Sequence, residues 1–147
     1  MDAIPFSGSR ALARGAVTRN QLRTRYRAVF RDVYVDRDVE LTAAAKARAA
    51  WLSTGAILAG RSAAAVLGTK WLDAAAPAEI VRCDRHGQPG IVVHSYRLAD
   101  DEVRTVRGMR VTTPARTAFD IGCGLPVVRA LPILDALFNA TRIEPTQ

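Results

Sequence analysis

Apolar positions in this chain come in short groups whose spacing changes along its length. Near the start, Ser7 or Ser9 is placed to cap a short helix reaching about Arg14, and Gly15 is a natural residue to follow its end. Thr18-Arg-Asn-Gln21 has the form of a capping box, which predicts a second helix over residues 19–27. At 100° per residue Leu22 and Tyr26 fall together as its inner face. Asn20, Thr24 and Arg27 point the other way, with Arg19, Gln21 and Arg23 on the shoulders. Residues 28–31 and 33–35 then read as two short strands around Asp32. Helix, turn, helix and ribbon in that order predict a winged helix-turn-helix over residues 1–37.

Residues 36–40 are a charged hinge, and beyond it the pattern changes. Residues 41–52 form an alanine-rich helix with Trp51 and Leu52 at its apolar end, residues 56–59 a buried strand, and residues 62–67 a short helix closed by Gly68. Residues 78–81, 91–96 and 109–112 read as strands, and Gly87-Gln-Pro-Gly90 predicts a turn joining the first two as an antiparallel hairpin. Thr113 caps and Pro114 opens a helix running to about Ile121 and ending at Gly122 or Gly124. A last helix spans residues 127–140, where Pro132 is expected to kink it or move its start. The fold class is therefore α+β: the winged head at 1–37, then a small α+β body at 38–147 with a mainly antiparallel sheet.

Charge sharpens this division. Residues 1–37 hold 8 arginines against Asp2, Asp32 and Asp36, a net +5 out of a chain total of +7. Positive charge gathered on one segment points to a polyanion. The lysines are only Lys46 and Lys70, so arginine carries nearly all of it; its planar fork suits phosphate and guanine, although codon bias gives the same skew. On this basis Asn20, Arg23, Thr24 and Arg27 are the candidates for base edges in a major groove. Arg10, Arg14, Arg19 and Arg31 are the candidates for phosphates of double-stranded DNA. A module this small binds weakly alone, so a dimer or a second contact surface is called for.

Other chemistries find less support. The longest uncharged run, residues 49–60, is far short of the roughly 20 residues of a membrane helix. No basic stretch precedes an apolar one at the N-terminus, so the expected compartment is the cytoplasm. Cys83-Asp-Arg-His86 has ligand-like spacing, and His94 and Cys123 would complete four zinc ligands. Without a close cysteine pair, however, the set reads as a buried thiol and two surface histidines. Neither lysine stands two residues after an acid, and Asp84, Asp100, Asp101 and Glu102 fall in turns. The expectation is no nuclease site, no enzyme, no cofactor and no metal. Arg116 and Asp120 are spaced to pair across one helical turn.

Three segments occurring in succession carry a resemblance: Phe30-Arg-Asp-Val-Tyr-Val35, Leu58-Ala-Gly-Arg-Ser-Ala-Ala-Ala-Val-Leu-Gly68 and Thr112-Thr-Pro-Ala-Arg-Thr-Ala-Phe-Asp120. The chain resembles the AbiEi-type antitoxins of type IV toxin–antitoxin systems. It also resembles their actinobacterial relatives, which carry a very-short-patch-repair-like nuclease domain behind the same front half. What the resemblance implies is a head that binds operator DNA and represses its own operon, and a body that supplies the antitoxic activity or meets a partner, either a cognate toxin or a second copy. Asp32 stands where the family has glycine and adds a negative charge near the ribbon. The chain ends at Gln147, where nuclease-bearing relatives continue, so two alternatives stay open. One is the non-catalytic front half of such an endonuclease; the other is a protein-interaction module that neutralises a toxin through its body.

Overall fold

The structure is a computed structural model that describes residues 2–84 and 86–142. Its first part is built around a three-stranded antiparallel sheet of β1 (Phe6–Ser7), β2 (Tyr26–Phe30) and β3 (Val33–Asp36), in the order β1-β3-β2. Two six-residue helices, α1 (Gly8–Ala13) and α2 (Arg19–Thr24), fill the stretch between β1 and β2. Ser7 caps α1, Gly15 follows its end at φ +71°, and the Thr18–Gln21 capping box is complete.

The second helix is shorter than expected. Arg25 is its C-cap, and Tyr26 and Arg27 open strand β2 instead of completing a third turn. Two contacts favour this exit. The Arg37 guanidinium donates to the carbonyls of Arg23 (2.7 Å) and Tyr26 (3.2 Å), and the Tyr26 ring meets Phe6 edge-on at 5.0 Å. Strand β1 itself was not legible, since two residues are too few to show alternation.

The second part is a five-stranded sheet with four helices. α3 (Ala43–Thr54) is capped by Thr42 and closed by Gly55 in the left-handed region. β4 (Ile57–Leu58) leads to α4 (Gly60–Val66), followed by β5 (Ala78–Val81), β6 (Ile91–His94), β7 (Val103–Val106) and β8 (Met109–Thr112). α5 (Pro114–Gly124) starts on the Thr113 cap with Pro114 in its first turn, and α6 (Val127–Thr141) follows. α6 absorbs Pro132 without moving its start, giving up the bond that the missing N–H would make to the Val128 carbonyl.

The strand order is β6-β5-β4-β8-β7. β4/β5 and β7/β8 are antiparallel, while β4/β8 and β5/β6 are parallel. The antiparallel hairpin expected across residues 87–90 is thus corrected. The connection runs back along the sheet, so Ala78 pairs with Ile91 and Val81 with His94. Four strand residues cover only about 13 Å, a distance the nine residues 82–90 span easily. The α+β class holds.

One buried cluster joins both sheets. Phe30 and Val33 of the β2–β3 hairpin pack with Ala47 and Ala50 of α3, Leu58 and Ile80 of the larger sheet, and Met109 and Val111 of β8. A second cluster of Ala64, Ile121, Ala130 and Leu137 fixes α5 and α6 to α4. Among the described residues, no helix is long and apolar enough to cross a membrane.

Candidate functional site

The basic segment is distributed over three places. Helix α2 exposes Arg19, Asn20, Arg23 and Thr24 together, while Leu22 is buried beneath them. Asn20 accepts a hydrogen bond from the Arg23 guanidinium at 2.9 Å, and the Thr24 hydroxyl donates to the Asn20 carbonyl at 2.8 Å, so the face is internally braced. Arg10 and Arg14 stand exposed on α1 and its cap. Arg27, expected on the helix, lies half-buried on β2 with its guanidinium donating to the Val39 carbonyl at 3.3 Å. Arg31 sits at the hairpin tip, and its backbone is held by Gln88 (2.8 Å) and Ser53 (2.8 Å) of the larger part. The structure brings Arg19, Asn20, Arg23 and Thr24 together and separates Arg27 and Arg31 from them.

None of the eight arginines of residues 1–37 enters an ion pair among the described residues; every ion pair lies further along the chain. Asp32, the acid nearest the ribbon, is committed elsewhere. At φ +60° it turns its carboxylate onto the start of α1, accepting from the Ser9 N–H (2.8 Å) and from the hydroxyls of Ser9 (2.6 Å) and Ser7 (2.9 Å). The Ser9 bond is the main reason its carboxyl titrates below the usual range.

A second constellation was not anticipated. A cleft of about 440 Å³ lies between the face of β5–β6 and α5. On its sheet side Glu79 accepts from the Arg61 N–H (2.7 Å), the Arg61 side chain (3.3 Å) and His94 Nε2 (3.0 Å). Burial pushes the Glu79 carboxyl up, but the bonds from His94 and Arg61 together outweigh it and leave it lowered. His94 is raised in turn, first by that same bond. On the helix side Asp120 accepts from Tyr96 Oη (2.9 Å) and Arg116 Nε (2.9 Å), and Arg116 also reaches Glu102 (3.1 Å). The Arg116 guanidinium lies over the Tyr96 ring, 4.6 Å from its centre. Burial, then Asp120, raises the Tyr96 hydroxyl.

Glu79 is held by Arg61 and His94 and Asp120 by Tyr96 and Arg116, so the two carboxylates tie the sheet to α4 and α5. Gly60 belongs to this design: at φ +52° it passes so close that a Cβ would lie 2.5 Å from the Glu79 carboxylate. The expected Arg116–Asp120 pair is present. His94, read from sequence as a surface residue, is half-buried, and Cys83, read as buried, is exposed. Among the described residues no group of three or more His, Cys, Asp or Glu is placed to hold a metal ion. The sequence signal for this cluster was Glu79, a lone acid inside an apolar strand. The parallel register, with Glu79 opposite Val92 and Val81 opposite His94, brings the two side chains to neighbouring positions on one face.

No curated protein matches the chain. The sequence model of the AbiEi antitoxin C-terminal domain matches residues 48–147, from within α3 through the larger sheet and α5–α6. The chain belongs to the AbiEi antitoxin C-terminal domain family.

Proposed function

We propose that this protein is a type IV antitoxin that also binds DNA. In this reading residues 1–37 form a reduced winged helix-turn-helix that represses the protein's own operon, and residues 38–147 carry the antitoxin role. The family match falls on the body, which supports placing the antitoxin role and any cognate toxin there. The observation that carries the DNA reading is the unpaired charge of the head, a net +5 with no ion pair among the described residues. Elsewhere in the chain Arg61, Arg82 and Arg116 are paired with carboxylates.

In this reading Asn20, Arg23 and Thr24 meet base edges, and Arg19, Arg10 and Arg14 hold phosphates on either side. Arg27 and Arg31, set on the ribbon, add phosphate contacts at its flank. The test is binding of the purified chain to DNA from its own upstream region, titrated with salt against unrelated competitor DNA. Each phosphate contact releases about one counterion. Arg19→Ala combined with Arg23→Ala is expected to weaken binding and lower the salt slope by up to about two, whereas Arg27→Ala lowers it by about one at most. An unchanged slope in the double variant removes α2 from the interface. Equal affinity for both DNAs removes operator recognition.

A further inference from the structure

Trp71 is the most exposed large apolar residue described, at 94%. Its backbone is left-handed at φ +66°, a costly conformation for a bulky side chain, and here it leaves the indole in solvent instead of the core. The ring forms one wall of a groove of about 490 Å³ whose opposite side is α6, with Pro132, Ala136 and Ala140 as its floor. Small side chains and a proline leave room there for an inserted aromatic ring. Val128 and Leu131, 84% and 59% exposed, stand one turn before Pro132 and Asp135 and continue the apolar strip along α6. Apolar surface gathered around an exposed tryptophan is the composition of an interface centre.

Charge says what covers it. Lys70 and Asp135 both line this groove, both are exposed, and neither is in an ion pair among the described residues. A groove that carries its own ring, its own receptacle and one free charge of each sign is complementary to itself. Under a twofold axis every residue pair is made twice, so one lysine and one aspartate give two bridges.

We propose that this groove joins two copies of the chain. Each Trp71 ring lies in the other copy's groove against Pro132, Ala136 and Ala140, and each Lys70 meets the other copy's Asp135. The interface needs nothing beyond the groove. It also deepens the DNA-binding reading, because a small head needs a twofold mate to reach useful affinity and to read paired half-sites.

The experiment is sedimentation equilibrium of the full chain over a wide concentration range, without DNA. The wild type is expected to follow a monomer–dimer equilibrium. Trp71→Ser should raise the dissociation constant at least about 30-fold, as loss of a central aromatic anchor does. Lys70→Glu and Asp135→Lys should each weaken the dimer, and the two together should restore it. All three positions are exposed, so unchanged circular dichroism is expected throughout. The proposal is overturned by a monomer at every concentration, by a dimer indifferent to Trp71→Ser, or by failure of the double reversal to rescue. Because DNA is absent, a monomer here leaves the operator reading to its own salt titration, and lost DNA binding by an intact dimer does the converse.

Discussion

His94 and Glu79 form a titrating pair whose effect on stability has a definite sign. The imidazole is raised above its ordinary 6.5 by the Glu79 bond, with Asp120 adding to the attraction. Its contribution is therefore fully present below pH 6.5 and is lost as pH rises through the higher folded value. The Glu79 carboxyl is lowered from 4.5, so its contribution is present above that value and fades as pH falls through the lower folded one. Between these limits both partners are charged and the cleft is tightest. The melting temperature of the wild type is expected to fall from pH 6 to pH 9. In His94→Gln, which cannot titrate, that fall should flatten. Parallel curves for the two proteins would show that the pair contributes nothing in this range.

At the scale of elements, Asp32 illustrates how one side chain ties a hairpin to a helix. The Asp32 carbonyl accepts from the Gly8 N–H at 2.9 Å while its carboxylate takes the Ser9 N–H, so the hairpin tip caps α1 from outside. Asp32→Ala removes that cap but keeps the left-handed backbone, and should cost about 1 kcal/mol in urea unfolding, the usual worth of a cap. No loss would mean that water replaces the carboxylate without penalty. Most helix starts were legible in advance because each rests on a local side chain: Ser7, Thr18 and Thr113 all cap as their positions predict. Helix α2's early end was not, because it depends on Arg37 and Phe6, remote in sequence. The same limit explains the β5–β6 error. A glycine-bounded loop is compatible with either strand direction, and the pairing of β5 with β4 and β6 that settles it is not local in sequence. With the register reversed, Glu79 and His94 could not be seen as partners, so the cleft stayed hidden while the locally spaced Arg116–Asp120 pair did not.

For the whole molecule, the hinge at residues 36–40 divides charge more sharply than it divides the core. Phe30 is 6% exposed and packs in the same cluster as Leu58, Ile80 and Val111, so the basic head shares a core with the sheet of the family-matched part. Arg31 and Gln88 add a polar tie across the same junction. The head's other cluster, Ala3 and Val35, closes on Ala45 of α3, so the head has little apolar area with which to fold separately. Truncating Phe30 to alanine should therefore destabilise the body along with the head, by about 3–5 kcal/mol for a buried phenylalanine. Both tryptophans, Trp51 and Trp71, lie outside residues 1–37, so their fluorescence reports the body, whereas circular dichroism reports helices throughout. In Phe30→Ala the two signals are expected to shift to lower denaturant together and remain coincident, as one cooperative unit requires. A fluorescence midpoint that stays at the wild-type value while part of the dichroism is lost earlier would mean that the head unfolds alone. The head and the family-matched body would then be separate units of stability. Coincident curves would mean instead that any partner gripping the body also stiffens the hairpin on which α2 is mounted.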